Sequence, residues 1–107
     1  MPLYELSLIV RPKLNPNNIK DLMKRSVQTI WNHKGVVTEI KDLHQKTLPY
    51  PMKRHQEYFH AGRYYLLNFH ANPNALVDLG NKLKVDPRVI RHGIIKVADK
   101  IDTEPRA

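Results

Sequence analysis

The tripeptide Asn-Pro-Asn stands twice in the chain, at residues 15–17 and 72–74, each time between a strand-like run and a helix-like one. Asn is a favoured helix N-cap because its side-chain carbonyl accepts a hydrogen bond from a backbone N–H of the first turn. Pro suits the position that follows, where its missing N–H has no helical partner to lose. Two helices that each start directly behind a strand leave few ways to connect the rest of a short chain.

Ahead of the first copy, residues 3–10 (LYELSLIV) alternate Tyr4, Leu6, Leu8 and Val10 on one side, with Ile9 adding apolar weight on the other, which predicts a strand with one well-buried face. Behind it, Ile19, Leu22, Met23, Val27, Ile30 and Trp31 recur at three-and-four spacing and predict a helix over 16–34. His33 and Lys34 in the last turn and Gly35 just past it supply the expected stop. Val36, Val37, Ile40 and Leu43 read as a second strand. Pro49 and Pro51 should end its ladder, because Pro cannot donate to a neighbouring strand. Residues 52–62, polar and containing Tyr58-Phe59, then read as a long hairpin connection.

Residues 63–70 (RYYLLNFH) are apolar and aromatic on both faces, as befits a central strand. After the second Asn-Pro-Asn, Leu76, Leu79 and Leu83 mark a shorter helix that Asp86-Pro87 stops. Val89, Ile90, Ile94, Ile95 and Val97 form a last strand. The resulting order, β-α-β followed by β-α-β, predicts an α+β, ferredoxin-like domain over 1–98: a four-stranded antiparallel sheet with both helices on one face. Residues 99–107 read as a polar tail. The uncovered sheet face or a sheet edge is the natural seat for a partner.

Lys and Arg number 18 against 10 Asp and Glu, a formal charge of +8, so polyanions are the natural partners. The longest apolar stretch near the start, within residues 6–10, falls far short of the roughly 20 residues that span a bilayer. Residues 1–5 carry neither the charged start of a secretory signal nor the Arg-rich pattern of a transit peptide. The chain has no cysteine, which removes disulfides, thiolate-bound zinc and thiol catalysis together.

Catalysis finds little to work with. Gly35, Gly62, Gly80 and Gly93 are too far apart to build a phosphate loop. Arg11 follows the first strand, where an acylphosphatase-like cradle would need an arginine, but Pro12-Lys13-Leu14 occupies the place of its glycine-rich turn. His33, His44, His55, His60, His70 and His92 include no i,i+4 pair on one helix and no accompanying carboxylate cluster. Neither an enzyme nor a metal or other cofactor is expected.

Nucleic acid fits better. Gly62-Arg63-Tyr64-Tyr65-Leu66-Leu67-Asn68-Phe69 loosely echoes the aromatic third strand of an RNA-recognition motif, whose element order is the same. The Lys/Arg-Gly order is reversed, however, and the small residue between the aromatics is missing. Alternation sets Tyr64, Leu66 and Asn68 on one face and Tyr65, Leu67 and Phe69 on the other, and one set belongs to the core. Lys46, Lys53, Arg54 and Arg63 gather around the expected connection, while Arg88, Arg91 and Lys96 lie in or beside the last strand. Phosphate contact is the functional reading of these seven cations, and a solvated basic rim is the plain one. Tyr58 and Phe59 either stack on RNA or fold back on the sheet edge, as loop anchors or partner contacts.

The segment Leu43-His44-Gln45-Lys46-Thr47-Leu48-Pro49-Tyr50-Pro51-Met52 resembles the signature of the small-subunit ribosomal protein six family. In that family a leucine and a basic residue precede a Leu-x-Tyr-Pro core and an aliphatic residue. Tyr4-Glu5, Pro12-x-Leu14, Gly35, Gly62 with Tyr64 and Tyr65, Val89-Ile90-Arg91 and Ile94-Ile95-Lys96 fall in the same order as in that family, so the likeness covers residues 3–97.

The resemblance implies the ferredoxin-like fold, a heterodimer with ribosomal protein eighteen, contact with other small-subunit proteins, and binding to the central domain of small-subunit rRNA. It carries Tyr50 and Pro51 over as the hairpin feature and Lys46 and Arg91 as basic contacts. The chain departs from the bacterial pattern at His44, where glycine is usual, at Pro49, where alanine is usual, and in a longer hairpin loop. Its start and that loop look like mitochondrial members, so a small ribosomal subunit in the mitochondrial matrix is the expected setting, with a bacterial cytoplasm as the alternative. The rival function is a free single-stranded RNA-binding protein of the recognition-motif type.

Overall fold

A computed structural model describes residues 1–98; the expected tail, 99–107, lies outside the described residues. The elements are β1 (Leu3–Val10), α1 (Pro16–Asn32), β2 (Val36–Arg54), β3 (Glu57–His70), α2 (Pro73–Val85) and β4 (Val89–Ala98). The strands lie in the order β2-β3-β1-β4, and every neighbouring pair is antiparallel. This is the expected ferredoxin-like arrangement.

Both Asn-Pro-Asn copies act as caps. Asn15 Oδ1 accepts the Asn17 N–H at 2.8 Å, and Asn72 Oδ1 accepts the Ala75 N–H at 3.2 Å. The second cap does more, because Asn72 Nδ2 also donates to the carbonyl of His33 at 3.4 Å. One side chain thus satisfies orphan groups at the start of α2 and just past the end of α1.

The core lies between the helices and one sheet face. Tyr4, Leu6, Leu8 and Val10 of β1 and Tyr65, Leu67 and Phe69 of β3 meet Leu22 and Ile30 of α1 and Leu79 and Leu83 of α2. Each fully buried Leu or Phe among them contributes about 1.5–3 kcal/mol. The alternate residues Ile9, Tyr64, Leu66 and Asn68 therefore face the uncovered side, where they are only partly buried.

Three expectations change. Trp31 does not join the core; it is 65% exposed, one position beyond Ile30 and turned off the apolar stripe. The end of α1 does not rely on a left-handed glycine. Lys34 takes that conformation, with φ 62°, and Gly35 has no positive φ. Gly35 is there for space, since a Cβ would sit 2.5 Å from the His70 carbonyl oxygen and 2.8 Å from Ile30 Cγ2.

The largest change concerns β2, which runs on through Pro49 and Pro51 and pairs with β3 almost to its tip. The ladder accommodates the prolines by skipping them. Thr47 pairs with Ala61 and Met52 with Phe59, so residues 48–51 bulge out opposite His60 alone. The connection is only His55-Gln56, with φ of 51° and 63°, the two positive values that a tight type I′ hairpin turn needs. Where a long loop was expected, the chain builds a two-stranded ribbon.

Candidate nucleic-acid interface

The ribbon is folded back onto the end of the sheet. Leu48 and Phe59 close on Ile90 of β4, with Ile9, Met52 and Tyr64 packed around them, and form a second small core on the face away from the helices. Arg11 clamps the ribbon from below. Its guanidinium lies 4.9 Å from the Phe59 ring centroid, Nη1 meets Glu57 Oε2 at 2.9 Å, and Nε donates to the Pro87 carbonyl at 2.7 Å. Arg54 donates to the Lys84 carbonyl near the end of α2, where a cation also complements the helix dipole.

This closure sorts the candidate residues. Phe59 is buried and Tyr58, its neighbour across the pleat, is 63% exposed, so the pair divides its two possible roles between fold and surface. Arg54 is half-buried and turned inward. Arg63 bridges to Asp42 at 2.5 Å, and its hydrogen bond holds the Asp42 carboxyl below its ordinary value. Arg88 binds Asp86 at 2.7 Å and Asp21 at 2.9 Å and donates to the Asn18 carbonyl at 3.0 Å. These contacts sew α1 to the start of β4. Arg54, Arg63 and Arg88 are thus engaged within the fold.

Lys46, Lys53 and Arg91 are presented differently. All three are exposed, and among the described residues none is ion-paired with a carboxylate. Lys46 Nζ lies 5.5 Å from the Tyr64 ring centroid, and Lys53 Nζ lies 5.7 Å from that of Tyr58. Arg91 Nη1 donates to the Tyr50 hydroxyl at 2.7 Å. Tyr50 is 53% exposed and leaves the ladder in the bulge that Pro49 and Pro51 impose. Lys96 lies further along β4, opposite Tyr4.

Among the described residues four cations stand over aromatic rings, and β3 supplies each of these rings. Such pairs occur about once per 70–80 residues, so their concentration is a property of the ribbon and its root. An ammonium held over a ring is fixed in place while its outer N–H groups still face solvent, the arrangement a phosphate contact needs. Sequence reasoning missed the clamp role of Arg11 and the meeting of Tyr50 with Arg91, which are 41 positions apart; no local pattern signals either.

A cleft of about 760 Å³ on the helical side is lined by Asp21, Ser26, Thr29, Lys82, Asp86 and Arg88, among others. Its carboxylates are tied to Arg88, and the Ser26 and Thr29 hydroxyls donate to the backbone carbonyls of Leu22 and Arg25. It is a seam between the helices lined also by Leu22, Leu79 and Leu83. Lys82 Nζ donates to the Thr29 hydroxyl at 3.2 Å, and among the described residues neither hydroxyl is hydrogen-bonded to a carboxylate or an imidazole. Among the described residues no three His, Asp or Glu side chains converge as metal ligands, and no helix is long and apolar enough to cross a membrane.

The fold and this surface define an α+β module of the ferredoxin-like class with a cation-bearing ribbon. The family model for ribosomal protein S6 matches residues 3–96, and the chain belongs to the ribosomal protein S6 family. It is 32% identical over 96 residues to small ribosomal subunit protein bS6m of Bos taurus, covering 90% of this chain and 77% of that one. Small ribosomal subunit protein bS6 of Geobacter sulfurreducens is 30% identical over 95 residues, covering 89% and 78%. The crystal structure of 30S ribosomal protein S6 from Thermotoga maritima superposes with a TM-score of 0.78 at 23% identity, covering 90% of this chain and 87% of that one, which supports the fold. The chain is accordingly a structural component of the small ribosomal subunit and not an enzyme.

Proposed function

We propose that the chain works in the small ribosomal subunit of mitochondria, where it binds the central domain of the rRNA and pairs with ribosomal protein eighteen. The observation that carries the RNA reading is the sorting of cations. Arg11, Arg63 and Arg88 are neutralised by carboxylates within the fold, whereas Lys46, Lys53 and Arg91 are held by aromatic side chains and point outward on the ribbon and the neighbouring sheet face. The mitochondrial setting is supported by relatives named bS6m. The rest of the uncovered sheet face, around Leu66 and Ile95, offers apolar surface for a protein partner.

In this reading the protein does no chemistry. It neutralises phosphates and holds rRNA segments in one arrangement, so its contribution falls as salt rises and counterions compete. The test is the salt dependence of binding to a central-domain transcript, with ribosomal protein eighteen present at saturation. Lys46→Ala combined with Lys53→Ala is expected to flatten the slope of log K against log salt by about 1.5, two contacts at about 0.7–0.9 each. An unchanged slope would remove the ribbon from the RNA interface.

A further inference from the structure

The Tyr50–Arg91 contact has a hydrogen-bond inventory that points outward. The phenol oxygen accepts one N–H of Arg91 at 2.7 Å, which leaves the Tyr50 O–H as a donor. The guanidinium keeps its other N–H groups, and among the described residues it makes no ion pair. A phenol offers one donor and a guanidinium five, so what the pair shows to solvent is a set of donors beside a full positive charge. Donation into the phenol oxygen also polarises the O–H and strengthens it as a donor.

The pair is held from both sides. Tyr50 projects from the four residues, 48–51, that leave the β2 ladder, and Pro49 and Pro51 fix φ on either side of it. Leu48 in the same bulge is buried against Phe59 and Ile90, which pins the bulge to the residue preceding Arg91. Arg91 itself follows the irregularity where β4 and β1 change register between Ile9 and Val10. Both side chains are thereby fixed on the exposed face, where a flexible arginine would otherwise have to be ordered on binding.

We propose that Tyr50 and Arg91 form a single phosphodiester-binding unit, in which Tyr50 positions the guanidinium and adds its own O–H to the same phosphate. This rests on the rRNA-binding reading above, and the ligand is one backbone phosphate of that RNA. Tyr50 is therefore a positioning residue that acts largely through Arg91. Removing its hydroxyl should cost the arginine its contact even though no charge is lost.

The test is a double-mutant cycle on the full chain bound to the central-domain transcript, with ribosomal protein eighteen at saturation and binding measured across salt. Tyr50→Phe and Arg91→Ala are each expected to weaken binding about tenfold, the scale of one charge-assisted hydrogen bond. Each should also flatten the salt slope by about 0.7–0.9, and the double variant should be no weaker than Arg91→Ala alone. A flatter slope from the uncharged substitution is the signature that neither a loss of packing nor a direct tyrosine contact would give. Losses that multiply to about a hundredfold, or a Tyr50→Phe protein with the parent affinity and slope, overturn the unit. If Lys46→Ala and Lys53→Ala weaken binding while Arg91→Ala does not, this proposal fails and the RNA reading survives. If none of them changes binding, both fail.

Discussion

Gly35 and His44 set opposite problems for the backbone. Gly35 needs no unusual φ but lies so close to the His70 carbonyl and Ile30 that a methyl group has no room. Gly35→Ala is therefore expected to cost about 2–3 kcal/mol, as overpacking against rigid backbone does, and thermal or denaturant unfolding measures it directly. His44 has the room but the wrong conformation: its φ is 66°, in the region glycine enters freely and other residues enter at a cost. It stands at an irregularity of the β2–β3 ladder, and Asp42 Oδ1 accepts its N–H at 2.8 Å, which helps to hold the turn. The resemblance noted glycine as the usual residue at this position, and the backbone gives the reason. His44→Gly is expected to stabilise the fold by about 0.5–1 kcal/mol in the same assay, and a loss of stability would contradict this account of the site.

At the level of elements, the caps, both helices and the central strands were legible because each is written locally: a tripeptide, a three-and-four spacing, an alternation. The ribbon was not. The rule that Pro ends a ladder held for the hydrogen bonds of residues 48–51 but not for the strand, since β2 resumes pairing at Met52. Hence Phe59, which reads as part of a polar loop, is buried against Leu48 and Ile90. The candidate cations were likewise visible as charges, but which of them the fold would consume was not. Arg63 meets Asp42 and Arg88 meets Asp21 across 21 and 67 positions, and no sequence window reports such pairs. If Phe59 anchors the ribbon, Phe59→Ala costs about 3–5 kcal/mol in a urea melt. It should also expose the amides of 45–63 to hydrogen exchange well before those of β1. Loss of protection across the whole sheet at once would instead make ribbon and sheet a single cooperative unit.

The whole molecule is cationic, yet its described carboxylates are mostly engaged. Burial pushes the Asp86 carboxyl up, but the side-chain and backbone hydrogen bonds from Arg88 outweigh it and hold the group below its ordinary 3.8. The Arg88 hydrogen bond likewise lowers Asp21, and His33 lowers Asp78. Carboxyls depressed in the fold contribute stability that is complete above their unfolded value and is lost as pH falls through the folded ones. Acid unfolding from these groups therefore sets in below about pH 4. Arg88→Met should cost about 1–3 kcal/mol at neutral pH and blunt that acid-dependent loss, measured as denaturant midpoints from pH 7 to pH 2. An unaltered pH profile would deny the seam its role.

The same distribution of charge, with most described acids paired to cations of the chain and Lys46, Lys53 and Arg91 left without a carboxylate partner, suits a surface that meets RNA. The most direct measurement is sedimentation of the tagged chain from mitochondrial lysate at low and moderate salt, followed by identification of what travels with it. The account predicts a peak at the small ribosomal subunit, together with ribosomal protein eighteen, that persists at moderate salt. A chain that stays at the top of the gradient as a free protein at low salt would contradict it.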